Sequence, residues 1–347
     1  MAAHRGCLPL VVALLVAAVL CRAEAAVREL KVGYYAETCP EAEGIVRDTM
    51  ARALAREARS VASVMRLQFH DCFVNGCDGS VLMDATPTML GEKDALSNIN
   101  SLRSFEVVDE IKEALEERCP GVVSCADIVI MAARDAVVLT GGPNWEVRLG
   151  REDSLTASQE DSDSIMPSPR ANASALIRLF AGLNLSVTDL VALSGSHSIG
   201  EARCFSIVFR LYNQSGSGRP DPNMDCAYRR ALNALCPKGG DEEVTGGMDA
   251  TPRAFDNRYF KDLVALRGFL NSDQTLFSDN AKTRRVVKRF SKDQDAFFRA
   301  FTEGMVKMGE LQNPRKGEIR RNCRVANGVP PSPVTPKEVA PYRVLDF

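Results

Sequence analysis

The chain has 347 residues, with 43 Lys and Arg against 45 Asp and Glu and a formal net charge of −2 at pH 7. So even a balance, without a basic run or stripe, argues against nucleic acid or an anionic membrane as a partner. The length and the 45% apolar composition suit one large domain or two subdomains.

The first 26 residues read as a secretory signal peptide. His4 and Arg5 precede an apolar run from Leu8 to Leu20, and small residues follow at Ala23, Ala25 and Ala26. The run is too short to span a bilayer comfortably, and no later stretch approaches spanning length. A soluble exported protein is expected; the alternative is a buried N-terminal helix. The remaining chain divides into a domain over 27–327 and a Pro-rich extension over 328–347, where five prolines between Pro330 and Pro341 exclude a regular helix.

Apolar residues at helical spacing predict helices over Glu41–Ala58, Val61–Cys72, Phe105–Glu117 and Ser124–Leu139. The last is nearly all apolar and reads as a central buried helix. Further helices are expected over Ala173–Leu183, Thr188–Leu193, Asn257–Leu266, Ala281–Phe290 and Gln294–Met308. Ser186 and Asp189 resemble a capping box. The best strand candidate is Trp145–Leu149. Loops are expected at Asp84–Ser104, Ser158–Arg170 and Gln214–Met224.

Removing Cys7 and Cys21 with the leader leaves nine of eleven cysteines, which in an exported chain suggests disulfides with one thiol unpaired. Eight cysteines allow 105 connectivities, so composition cannot pair them. No CxxC favours zinc and no CxxCH favours covalent haem. Asn172, Asn184 and Asn213 open N-x-Ser sequons, candidate glycosylation sites.

Histidine is scarce: His4 lies in the leader, so the exported chain keeps His70 and His197. On a helix, Arg66 and His70 share one face with Phe69 beside them. An imidazole can accept a proton while a fixed guanidinium stabilises developing negative charge; a surface Arg–His pair is the plainer alternative. Asp71, Asp78 and Ser80 add hard oxygen donors, and Gly76 and Gly79 allow tight turns, a set that suits calcium without matching an EF-hand. His197 sits in Ser194-Gly195-Ser196-His197-Ser198-Ile199-Gly200, which is no nucleophile elbow. It is either a satisfied core residue or a metal ligand whose second nitrogen needs an acceptor.

RLQFHDCFVNGCDGSVL, GEKDALSN, CPGVVSCADI, GGPNWEVRLGRED, LVALSGSHSIG, TPRAFDNRYF, NSDQTLF and IRRNCR, in this order, resemble the secretory (class III) plant peroxidase family over roughly Glu29 to Asn327. The resemblance implies a mainly α haem-peroxidase fold, with distal and proximal helical subdomains around one non-covalent haem b. It implies Arg66 and His70 as the catalytic pair, His70 as proton acceptor and Arg66 as transition-state stabiliser, with Phe69 over the haem. Asn98 and Glu92 would hold the distal imidazole as a base. His197 would be the axial iron ligand, Asp273 its carboxylate partner, and the Pro167 carbonyl a contact for aromatic donors.

The resemblance further implies the disulfides Cys39–Cys119, Cys72–Cys77, Cys125–Cys323 and Cys204–Cys236. Cys226 is left over, and a buried thiol is expected there rather than a reactive or intermolecular one. Two calcium sites follow: a distal one from Asp71, Val74, Gly76, Asp78 and Ser80, with Glu92 through water, and a proximal one from Ser198, Asp249, Thr251 and Asp256, with the Ala254 carbonyl a further candidate. Ser198 stands where threonine is usual, and the Asp249–Thr251 stretch is one residue shorter than the common pattern.

The implied activity is reduction of hydrogen peroxide to water with one-electron oxidation of phenolic donors, by a monomer that is secreted, or sent to the vacuole by its C-terminal extension. Lignin and wall-phenol oxidation and the oxidative stress response are the implied roles. The alternatives are a secreted haem- or calcium-binding protein without turnover, and a disulfide-rich hydrolase, for which no nucleophile motif is present. With His197 tied to iron, a titration near neutral pH is expected to report mainly on His70.

Overall fold

Around a nearly all-apolar central helix, residues 28–329 are described in a computed structural model. Residues 1–27 and 330–347, with the expectations of a leader and of a Pro-rich extension placed on them, lie outside these residues. Four helices make the first group: α1 (Ala42–Arg56), α2 (Ser60–Phe73), α3 (Phe105–Arg118) and α4 (Cys125–Leu139). The Ser124 hydroxyl caps α4 by accepting from the Asp127 amide, and α4 is buried along almost its whole length. It lies against α2, which buries Val61, Val64, Met65 and Leu67 and carries His70 on the same helix.

A short helix, α5 (Gln159–Ile165), crosses a segment expected to be loop. Its sequence, QEDSDSI, has no apolar stripe to announce it; the helix is held by its cap, Ser158 Oγ accepting from the Asp161 amide, and buries Ser162. The second group begins with α6 (Ala173–Gly182) and α7 (Val187–Ser194), the latter opened by the expected capping box of Ser186 and Asp189. After α7 comes a single 3-10 turn, Gly195–Ser198, which presents His197.

The chain continues through α8 (Val208–Tyr212), α9 (Cys226–Leu235), α10 (Arg258–Val264), α11 (Asn271–Ser278), α12 (Ala281–Phe290) and α13 (Gln294–Gly309). Helix α13 touches both α7 and α2, so one helix backs both histidine-bearing segments. One continuous apolar core joins the two groups, and a smaller one surrounds Cys204, Leu211, Cys236 and Phe269.

The only sheet among the described residues pairs β1 (Glu201–Arg203) with β2 (Thr245–Gly247), antiparallel. Neither segment carries a strand signature. The expected strand at Trp145–Leu149 does not form: its side chains alternate buried and exposed, but only Leu149 pairs, with Lys31, and Arg134 takes the Trp145 carbonyl at 3.2 Å. Alternating burial reports an extended chain against a core, not the presence of a partner strand.

Four disulfides are present, Cys39–Cys119, Cys72–Cys77, Cys125–Cys323 and Cys204–Cys236. Cys226 is free but exposed, which corrects the expectation of a buried thiol: it is the first residue of α9, and the apolar side of that helix is carried by Leu232.

Candidate active site

Arg66 and His70 lie one helical turn apart on α2, and Arg66 Nε donates to His70 Nε2 at 3.0 Å. A guanidinium cannot accept, so Nε2 is the acceptor and the neutral ring carries its proton on Nδ1. The rest of the guanidinium is anchored to the following loop: Nη1 donates to the Ser101 carbonyl and hydroxyl at 3.1 and 2.6 Å, and Nη2 to the Ser97 carbonyl at 3.1 Å. Phe69 meets the His70 ring edge-on, 5.3 Å between centroids.

His70 is only 3% exposed. Burial and the Arg66 charge push its pKa well below the ordinary imidazole value, with the Asn98 side chain pulling the other way. A titration near neutral pH therefore does not report on His70, contrary to the expectation from residue counting: the ring is already neutral there. Arg66 is brought down to about 10 by burial and by the Arg203 cation, and it stays charged.

Asn98 lies close enough to act on His70, yet Nδ1 completes no bond of ordinary geometry with it. The Asn98 carboxamide is held by three other partners: Nδ2 donates to the Glu92 carbonyl at 2.8 Å and to Ser162 Oγ at 3.2 Å, and Oδ1 accepts from Ser97 Oγ at 2.9 Å. Ser162, on the unforeseen helix α5, is thus part of the scaffold behind the imidazole.

His197 faces the opposite chemistry. Its Nδ1 lies 2.8 Å from Asp273 Oδ1, and since a carboxylate accepts, Nδ1 carries the proton and the Nε2 lone pair is left for another partner. Its side chain is 38% exposed, against 2% for Asp273. Asp273 stands in the first turn of α11, where a carboxylate is favoured by the free amides and the helix dipole. Tyr259, which the sequence reading passed over inside TPRAFDNRYF, donates its hydroxyl to the same Asp273 oxygen at 2.9 Å.

The distal oxygen set comes together at the end of α2. Asp71 Oδ2 accepts from the Gly79 amide and Asp78 Oδ1 from the Ser80 amide, each at 3.0 Å. Asp71 Oδ1, Ser80 Oγ and Glu92 Oε2 are buried and have no hydrogen-bond partner. Burial and mutual repulsion raise the pKa of Asp71 and of Glu92, and burial raises that of Asp78. Buried acceptors without donors are costly, and a cation would satisfy all three, so these residues fit calcium.

Among the described residues no three His, Cys, Asp or Glu side chains converge as a metal cluster, so a bound ion would also draw on hydroxyl and carbonyl oxygens. Gly76 cannot be substituted freely: its φ is +98°, and a Cβ would sit 2.4 Å from the Gln312 backbone. Asn313, also unforeseen, donates to Asp78 Oδ2 at 2.6 Å.

The proximal set is also assembled. Ser198 Oγ donates to the Asp256 carbonyl at 2.9 Å and the Ala254 carbonyl at 3.1 Å. Thr251 Oγ1 lies 3.2 Å from Asp256 Oδ2. Asp249, despite the shortened stretch, bonds the Thr251 amide through Oδ1 at 2.7 Å and leaves Oδ2 buried and unpartnered. Burial and the Asp256 and Asp262 charges raise Asp249 to about 7. Pro167 follows α5 and is half-buried, apart from these bonds.

The peroxidase family model matches residues 46–293, most of the described chain. The chain belongs to the secretory plant peroxidase family. It is 72% identical to Peroxidase 17 of Arabidopsis thaliana over 301 residues, 87% of this chain and 91% of that one. It is 50% identical to Peroxidase 49 of Arabidopsis thaliana over 85% of the chain and 90% of the relative, and 49% identical to Peroxidase N of Armoracia rusticana over 89% and 94%. The protein is a peroxidase with the family's mostly helical fold, acting on hydrogen peroxide and reducing substrates; membership implies haem and calcium in general. A binding protein without turnover is set aside by this membership. No single helix among the described residues is long and apolar enough to cross a membrane.

Proposed function

We propose that one haem b would be held between His70 and His197, with His197 Nε2 as its iron ligand and Phe69 beside it on the His70 side. The observation that carries this reading is the opposite hydrogen-bond polarity of the two rings: the His70 acceptor nitrogen faces a cation, and the His197 donor nitrogen faces a carboxylate. When bound, haem supplies the redox chemistry: two-electron reduction of peroxide and one-electron oxidation of donors.

The chain's own part is proton control and charge. His70 Nε2, neutral and buried, takes a proton from hydrogen peroxide and returns it to the departing oxygen, so that water leaves. Arg66 shifts its hydrogen bonding from Nε2 to the developing negative charge, and its tethers to Ser97 and Ser101 keep it in place for that. Asn98, held by Glu92 and Ser162, would orient the ring by accepting from Nδ1 once that bond closes.

Two calcium ions complete the reading, the distal one on Asp71, Val74, Gly76, Asp78 and Ser80 with Glu92 through water, the proximal one on Ser198, Asp249, Thr251 and Asp256. The donors are small phenols oriented by the Pro167 carbonyl, as in lignin or wall-phenol oxidation and the response to oxidative stress. The enzyme works as a monomer outside the cell, with domain bounds at 27–327; delivery to the vacuole by the extension is the competing destination. Stopped-flow mixing of peroxide with His70→Ala holoenzyme tests the central role: a slowing of more than ~100-fold is expected, and a near-normal rate would remove His70 as the proton acceptor.

A further inference from the structure

Asp273 distributes its two oxygens unevenly. Oδ1 takes both strong donors, His197 Nδ1 at 2.8 Å and the Tyr259 hydroxyl at 2.9 Å. Oδ2 has only the Leu270 amide at 3.4 Å. Tyr259 is 1% exposed, so water does not replace its hydroxyl. Its ring packs edge-on against His197 at 6.1 Å and Phe260 at 4.9 Å, which fixes where the hydroxyl points.

Two donors on one oxygen divide its charge between them. The more the tyrosine takes, the weaker the pull of Asp273 on the His197 proton and the less anionic the ring. A more anionic imidazole favours the higher oxidation state of a metal it binds, because hydrogen bonding behind a ligand tunes its basicity.

We propose that Tyr259 is a positioning residue that limits the charge Asp273 lends to His197 and so raises the reduction potential of iron held there. The inference rests on His197 being the axial ligand. Tyr259 touches neither peroxide nor donor; it acts through Asp273.

The test uses holoprotein, with the Fe(III)/Fe(II) midpoint potential and the iron–imidazole stretching band of the ferrous form as readouts. Tyr259→Phe keeps the ring and removes the donor. Its potential should fall, shifting the reduction equilibrium about threefold to tenfold, where tenfold is 59 mV for a one-electron couple. The stretching band should rise in frequency. Incorporating 3-fluorotyrosine at position 259, a stronger donor of nearly the same shape, should move both readouts the other way, and it serves even where Tyr259→Phe does not take up haem. An unchanged or raised potential in Tyr259→Phe, or no opposite shift with fluorotyrosine, overturns the proposal. His197→Gly separates the two readings: loss of the stretching band supports the axial role, whereas its persistence overturns that role rather than the tyrosine's.

Discussion

The two histidines are the same side chain placed in two opposite fields. His70 is 3% exposed and has a guanidinium on its free nitrogen; the His197 side chain is 38% exposed and has a carboxylate on its protonated one. Burial, with a cation beside it, makes protonation of the first expensive and keeps a lone pair available. A carboxylate behind the second pushes electron density through the ring toward Nε2. Burial and the neighbour's charge, more than the imidazole itself, suit one ring to proton handling and the other to holding a metal.

Breaking the distal half of that contrast should cost most. The loss of more than ~100-fold expected for His70→Ala in the peroxide step should come without loss of haem, since the proposed ligand is His197; an equal loss of the Soret band in this variant would merge the two roles. The proximal half is expected to be softer. Asp273→Asn leaves a weaker acceptor behind His197, and a fall of ~10–100-fold in steady-state turnover is expected, the range for partners of metal-binding histidines. A drop as large as that of His70→Ala would mean that Asp273 does more than orient the ring.

The cation sites extend the comparison, because Asp71 directly follows His70 and Ser198 directly follows His197. The distal set leaves three buried acceptors unpartnered, Asp71 Oδ1, Ser80 Oγ and Glu92 Oε2, whereas the proximal set leaves Asp249 Oδ2. A chelator should therefore strip the proximal site first, and Asp71→Ala should lower the melting temperature more than Asp249→Ala; metal analysis and thermal melts check both.

The pH dependence follows with a definite sign. In cation-free protein Asp249 is raised to about 7 from an unfolded value of about 4. Its contribution to stability is full below the lower value and lost as pH rises through the higher one. Asp71 and Asp78 shift the same way. The chelated protein should thus become less stable from pH ~4 toward pH ~7. Calcium, which needs ionised carboxylates, should reverse that slope, and melts across pH with and without calcium decide it. The smallest effect belongs to Cys226→Ser: the thiol is exposed and outside both sites, so activity and melting temperature should be unchanged, while wild-type protein alone is alkylated under native conditions.

The long helices were legible because each buries an apolar stripe that shows as periodicity, as α4 does between Cys125 and Leu139. The catalytic side chains were legible through motifs and through the four-residue spacing of Arg66 and His70. Helices α8, α9 and α11 were not foreseen. Much of the rest that was not legible is held by single polar contacts with no periodic trace. Helix α5 exists by its Ser158 cap, β1 and β2 are three residues each, and Asn313 and Tyr259 reach their carboxylates from remote or unremarked positions. The ionisation of His70 is not legible for a related reason: the number of imidazoles says nothing of burial, and burial sets the direction of its shift.

The distal oxygen cluster is closed from the far end of the chain. The Cys77 amide donates to the Leu311 carbonyl at 2.7 Å, Asn313 reaches Asp78 across 235 positions, and the buried Arg320 donates to the Gly79 carbonyl across 241. A ribosome would have to release nearly the whole domain before that loop could acquire its lid. The helix bearing Arg66 and His70 can meet α4 before that, although its contact with α13 and the pocket beside it both wait for the last part of the domain. During synthesis Arg66 and His70 therefore leave the ribosome early, whereas the groups that close the oxygen-rich loop after them become available only near the end.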